Sequence, residues 1–109
     1  MAITYKILGQ VLSTANNTSN VYSVPIATST VVSTITVCNQ SANAATFKLS
    51  VRPTSEALDA KHYINYDTPI PGNDTITLTL GFTLSANDVV ESNSSTSTIS
   101  YSAFGSEIA

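Results

Sequence analysis

Apolar and polar residues alternate with a period of two through much of this chain. In Ala45-Thr46-Phe47-Lys48-Leu49-Ser50-Val51-Arg52 the odd positions are apolar and the even ones polar. Successive side chains of a strand point to opposite faces, so one face of this segment packs and the other meets water. Ile76, Leu78, Leu80, Phe82 and Leu84 alternate in the same way with Thr75, Thr77, Thr79, Gly81 and Thr83. Ile99, Tyr101 and Ala103 alternate with Thr98, Ser100 and Ser102. A helix would need apolar residues three and four apart, and the β-branched residues here favour strands. Further strands are predicted around Tyr5–Leu12, Val21–Val24, Val31–Asn39, His62–Tyr66 and Val89–Asn93.

Turn chemistry separates these segments. Ile70-Pro71-Gly72-Asn73 suits a type II turn, in which Pro71 presets φ and Gly72 supplies the positive φ that follows. Gln40–Asn43 and Ser85–Asp88 are short polar breaks, and Thr14–Asn20 is a longer polar loop. Asn73-Asp74 and Asn87-Asp88 both precede strands and read as two similar turns. Ser55–Lys61 is expected to form a helical turn capped by Thr54 or Ser55, or an irregular loop that tucks Leu58 onto the core. Seven to eight short strands at intervals near ten residues predict an all-β fold. The expected architecture is an antiparallel β-sandwich, Ig-like or jelly-roll-like, with a closed barrel as the alternative. Phe47, Leu49, Val51, Ile76, Leu78, Leu80, Ile99 and Tyr101 are expected to point between the sheets.

A chain of 109 residues fits a single domain spanning 1–109. Ser and Thr number 32, whereas Lys and Arg number 4 and Asp and Glu 7, so hydroxyls and amides rather than charge hydrate the surface. The net charge is −3, and the cations Lys6, Lys48, Arg52 and Lys61 are scattered. Phosphate backbones need clustered cations, so no nucleic-acid partner is expected. No apolar run reaches the roughly 20 residues of a membrane-spanning helix, and no membrane partner is expected. The opening residues show no charged lead, apolar block and cleavage site, so secretion is not expected either.

Candidate chemistry is sparse. Cys38 is the only cysteine, which excludes an internal disulfide and a thiolate cluster. Its neighbours Val37 and Asn39 bring no cation to activate it, so it reads as an inert thiol. His62, the only histidine, lies in Lys61-His62-Tyr63-Ile64-Asn65-Tyr66, where it is expected on one strand face with Ile64 and Tyr66. A nucleophilic triad would need it as base, but no Gly-x-Ser-x-Gly elbow accompanies it. Asp67, Asp74, Asp88 and Glu91 could hold Ca²⁺ only without the usual acidic loop pattern, and Asp74 and Asp88 are expected to bond turn backbone. Paired carboxylates for glycoside chemistry would need two distant acids to meet in a cleft, and aromatic platforms for sugar are few. Dinucleotide and phosphate-loop glycine patterns are absent. Asn-x-Ser/Thr triplets begin at Asn16, Asn17, Asn39, Asn73 and Asn93, as an Asn- and hydroxyl-rich chain yields by chance. No catalytic, cofactor-binding or metal-binding residue is assigned, and no cofactor is expected.

Several stretches carry a resemblance. They are Val21-Tyr22-Ser23-Val24-Pro25, Val31 through Asn39, Ala45 through Pro53, Lys61-His62-Tyr63, Asn73 through Gly81, and Ser100 through Ile108. Together they resemble small β-sandwich virion proteins of tailed bacteriophages, particularly phages of cyanobacteria and marine bacteria. The motifs are strand-and-turn patterns over about Val21 to Ile108. Where such proteins tend to carry Gly after the early Pro, this chain has Ile26-Ala27-Thr28. The resemblance implies a non-enzymatic virion protein assembled in the host cytoplasm. It implies a capsid decoration, or cement, protein first. A neck, tail or fibre-attachment component is the alternative. Implied partners are other virion proteins, the major capsid protein foremost, and further copies of the chain as a homo-oligomer, expected to be a trimer. A carbohydrate- or receptor-binding adhesin-like module fits the same composition.

Overall fold

The computed structural model describes residues 2–109. Among these residues the chain forms eight strands: β1 (Ile3–Leu12), β2 (Thr18–Ser23), β3 (Ser29–Asn39), β4 (Ala45–Arg52), β5 (Tyr63–Ile70), β6 (Thr75–Leu84), β7 (Val89–Ser94) and β8 (Ile99–Ile108). A 3₁₀ turn, Ala60–His62, leads into β5. One sheet has the order β1-β8-β3-β6 and the other β2-β7-β4-β5, with antiparallel pairing throughout. Consecutive strands change sheet except at β4–β5, and sheet neighbours are distant in sequence. That order is a jelly roll, two interlocked Greek keys in a sandwich. It decides among the Ig-like, jelly-roll-like and barrel expectations.

The alternating residues build the core. Val32, Ile35, Val37, Leu49, Ile70, Val90, Ile99, Tyr101 and Ala103 are completely buried. Phe47 meets Tyr101 edge to face across the two sheets, with ring centroids 6.2 Å apart. The Tyr101 hydroxyl lies 2.6 Å from Ser94 Oγ, which satisfies its polar atom inside the core. Of the residues expected between the sheets, Phe47, Leu49, Ile99 and Tyr101 are fully enclosed. Val51, Ile76, Leu78 and Leu80 pack against the core but stay half-buried. The cause for the last three is position: β6 ends its sheet, so nothing covers its outer flank.

Irregular strands shape the first sheet. β8 runs through it with an unbroken two-residue alternation, whereas β1 carries an extra residue at Leu8 and β3 one at Ser33. Each extra residue reverses which side chains face inward. On β3, Thr30 and Val32 are buried before Ser33, and Ile35 and Val37 after it. β6 spans three residue steps where β3 spans two, with Gly81 at φ 67° beside this irregularity. The irregularities lie side by side, so the sheet is creased across its width.

Two turns differ from expectation. In Ile70-Pro71-Gly72-Asn73 the left-handed residue is Asn73, at φ 53°, not Gly72. Gly72 is needed for a close approach instead, because a Cβ there would stand 2.1 Å from the Ala42 carbonyl oxygen. Asn87 adopts φ 70° in the matching turn, where Asp88 Oδ2 accepts from Ser85 N–H at 2.8 Å. The two turns are alike in their Asn conformation. Ala27, in the turn where the resemblance led to an expectation of Gly, sits at φ 56°. The helical turn also forms later than expected, at Ala60–His62, and β5 begins at Tyr63 rather than His62.

The loops after β1, β3, β5 and β7 meet at one end of the sandwich around Asn39, which is 1% exposed. Its Nδ2 donates to the Asn43 and Pro71 carbonyls, at 2.9 and 3.3 Å. Its Oδ1 accepts from Ser41 N–H and Thr98 Oγ1, at 3.0 and 3.1 Å. One side chain thus ties three loops, and Ser13 attaches the fourth by donating to the Thr96 carbonyl.

Candidate binding surfaces

The residues with catalytic or ligating potential are dispersed. His62 is buried at the end of the 3₁₀ turn, just before β5, rather than on the exposed strand face that carries Ile64 and Tyr66. Its Nδ1 accepts from Asp59 N–H at 2.9 Å, which locks the ring onto the 3₁₀ turn. Glu56 Oε1 stands 3.4 Å from its Nε2, but that atom makes no hydrogen bond. The carboxylates considered for Ca²⁺ are each engaged separately. Asp67 pairs with Lys48, and Glu91 is gripped by Arg52 through Nε at 2.7 Å and Nη2 at 3.3 Å. Asp74 Oδ1 accepts from Thr75 N–H, and Asp88 bonds its turn. Among the described residues no group of three or more His, Cys, Asp or Glu side chains gathers where it could hold a metal. Cys38 is half-buried on the outer face of β3, opposite Ser100 and Thr75.

The surfaces that stand out are apolar. Beyond the crease, the outer face of the first sheet presents Ile3, Tyr5 and Ile7 from β1, which are 51%, 83% and 53% exposed. They stand opposite Ile108, Ser106 and Phe104 of β8, and Val31 of β3 extends the face. A shallow hollow lies here between Tyr5, Val31 and Phe104. On the far side of the crease the same outer face turns mostly polar, with Thr34, Thr36, Ser100, Ser102, Thr77 and Thr79, and exposed Leu12 as an apolar exception. The sequence showed β1 as a strand but not this patch, because the extra residue at Leu8 reverses its faces midway. The alternating Ile3, Tyr5 and Ile7 were the available signal.

A polar network anchors the patch from beneath. Lys6 Nζ donates to Glu107 Oε1 at 3.1 Å, and the Tyr22 hydroxyl donates to Glu107 Oε2. That hydroxyl also lies 2.8 Å from Thr30 Oγ1. Four strands from both sheets meet in these contacts. Burial and the neighbouring Glu107 push the Tyr22 phenol up to about 12. The Tyr22 hydrogen bond, with help from Lys6, holds the Glu107 carboxyl below its ordinary range.

A second surface lies at β5. Tyr63 and Tyr66 meet edge to face, with centroids 5.0 Å apart, and Lys48 Nζ stands 4.7 Å from the centre of the Tyr66 ring. With Leu58, Asp59 and Ala60 these rings line an open groove. The sequence placed Leu58 and Tyr66 near each other in the chain but could not show that the loop folds back onto β5.

No protein-family model matches the sequence, and no curated protein matches it. Solved structures do match in shape. A chain from the structure of infectious bursal disease virus, Gx strain, superimposes with a TM-score of 0.50 and 10% identity over 97% of this chain. The likeness is one of fold. This chain spans 30% of that chain's length. A chain from the acid-stable capsid structure of Helicobacter pylori bacteriophage KHP30 gives a TM-score of 0.48 and 14% identity, covering 97% of this chain and 92% of that one.

Proposed function

We propose that this protein is a non-enzymatic structural protein of a tailed-phage virion, serving as a capsid decoration protein. The observation that carries the reading is the exposed apolar face of Ile3, Tyr5 and Ile7 on a jelly-roll sheet, a surface suited to protein rather than small-molecule contact. The sequence resemblance to phage virion proteins and the fold shared with a chain of a virus structure support it. The major capsid protein is the proposed partner, and copies of the chain group on the particle, as a trimer where the lattice site is threefold. Assembly takes place in the host cytoplasm, and the protein ends in the virion. Weakly charged contacts, multiplied over many copies, hold a subunit because later contacts form at high effective concentration.

The test mixes purified protein with phage heads that lack it and sediments them in low salt and in about 1 M NaCl, where charges are screened beyond roughly 3 Å. Saturation at many copies per head in both buffers is the expected result. Binding to tails alone, or in only a few copies, moves the protein to the neck or tail. A second reading, a carbohydrate-binding module, is favoured by the paired rings of Tyr63 and Tyr66 above an open groove. Failure to bind any part of the particle, with binding to cell-surface glycan lost in Tyr66→Ala, selects that reading.

A further inference from the structure

We infer that the free edge of β1 pairs with the same edge of a second copy, antiparallel across a twofold axis centred on Tyr5. The inference concerns contact between copies and stands apart from the virion reading. Its basis is the backbone. Ala2 N–H donates to the Ala109 carbonyl at 2.8 Å, and Ala109 N–H returns the bond at 2.9 Å. Thr4 faces Glu107 and Lys6 faces Gly105 in the same register. In an antiparallel ladder the residues of such bonded pairs direct both backbone groups at the partner strand, and the residues between them direct theirs away. The N–H and C=O groups of Ile3, Tyr5 and Ile7 therefore point out of the sheet. Past Gly9 the strand is backed by β2, where a Cβ on Gly9 would meet the Val21 carbonyl oxygen. The open edge is Ile3–Ile7.

An unpaired row of donors and acceptors is a template for another strand. A second copy fits this template in its chemistry as well. Pairing Tyr5 with its own counterpart sets Ile3 opposite Ile7 and Ile7 opposite Ile3. All these residues project their backbone groups outward and their side chains onto the same exposed face. The apolar patches of two copies then join into one. Lys6 falls opposite Thr4, so no like charges meet, and Lys6 stays occupied by Glu107. Registers shifted by two residues pair fewer of the open positions. The contact is small, in the class of transient interfaces, and closes on itself as a dimer, a contact separate from the threefold grouping proposed on the particle.

Sedimentation of the full chain between about 10 µM and 1 mM tests this, in the range where weak pairs populate. Reversible formation of a species of twice the 11.4 kDa chain mass is expected. Tyr5→Lys places a charge on the edge, and Tyr5→Pro removes an outward N–H that β8 does not use. Both should weaken self-association on the order of tenfold or more, with thermal melts reporting that the fold is kept. If Tyr5→Pro unfolds, Tyr5→Lys decides alone. Ile3→Glu and Ile7→Lys singly should weaken the dimer, and the double variant should recover part of it, since each Glu then faces a Lys across the axis. A wild type monomeric throughout the range overturns the inference. So does an oligomer indifferent to Tyr5→Lys, or pairing seen only with a strand of a different protein.

Discussion

Asn39 and Ala27 show how much a single position can depend on its surroundings. Asn39 reads as an ordinary polar residue at a strand end and even begins a glycosylation triplet, yet it is the buried tie between three loops. Asn39→Ala strands several buried backbone groups at once, so a loss of about 2–4 kcal/mol is expected in a urea melt. Ala27 shows the opposite case, a residue less suited to its site than the one the resemblance led us to expect. An L-residue with a Cβ is strained at φ 56°, where glycine is at ease. Ala27→Gly should therefore stabilise the fold by about 0.5–1 kcal/mol, an unusual gain for a change to glycine. In the core, Phe47→Ala should cost about 3–5 kcal/mol. Leu78→Ala should cost less, about 1–2 kcal/mol, because its edge strand leaves it half-buried.

Strands were the most legible elements, and the reason is local. Ala45–Arg52 follows a period of two without interruption, and it forms β4 over those same residues. The facing of β1 and β3 was not legible, because a bulge looks in sequence like any other polar or apolar residue. Ser33 is the test case. Removing it sets Thr30, Val32, Ile35 and Val37 at strict two-residue spacing opposite β8, so the same side chains still face the core and only the crease is lost. Deletion of Ser33 should therefore keep a folded NMR spectrum with shifts concentrated at the crease, in β3 and its neighbours β6 and β8, whereas Ser33→Ala, which keeps the bulge, should leave the spectrum nearly unchanged. The network joining β1, β2, β3 and β8 has a pH signature. Glu107 titrates below its ordinary value in the folded protein, so its contribution is present at neutral pH and lost as pH falls below 4.5 and through the depressed value. Tyr22 is raised from 10.0 to about 12, so its contribution is complete below 10 and lost as pH rises from 10 to 12. In melts across pH, Glu107→Gln should flatten the acid limb and Tyr22→Phe the alkaline one. If each variant lowers stability equally at every pH, the network carries packing alone.

At the scale of the whole molecule, the sheet order could not be read from the chain, since a period of two says which face packs but not which strand lies alongside. The binding surfaces were hidden for a related reason. Tyr66 and Leu58 become a groove, and Tyr5 and Phe104 a patch, only once distant segments meet. The same long-distance pairing also governs when the molecule can complete itself. β1 joins its sheet only through β8, so β1 waits for a strand that follows it by most of this chain. Until then Ile3, Tyr5 and Ile7 have neither a ladder nor a settled face, which is the state most prone to wrong pairing. Topologies so dominated by distant contacts fold on the order of milliseconds to seconds. The edge proposed to join two copies is thus also the last to take shape, which delays association until the subunit is folded.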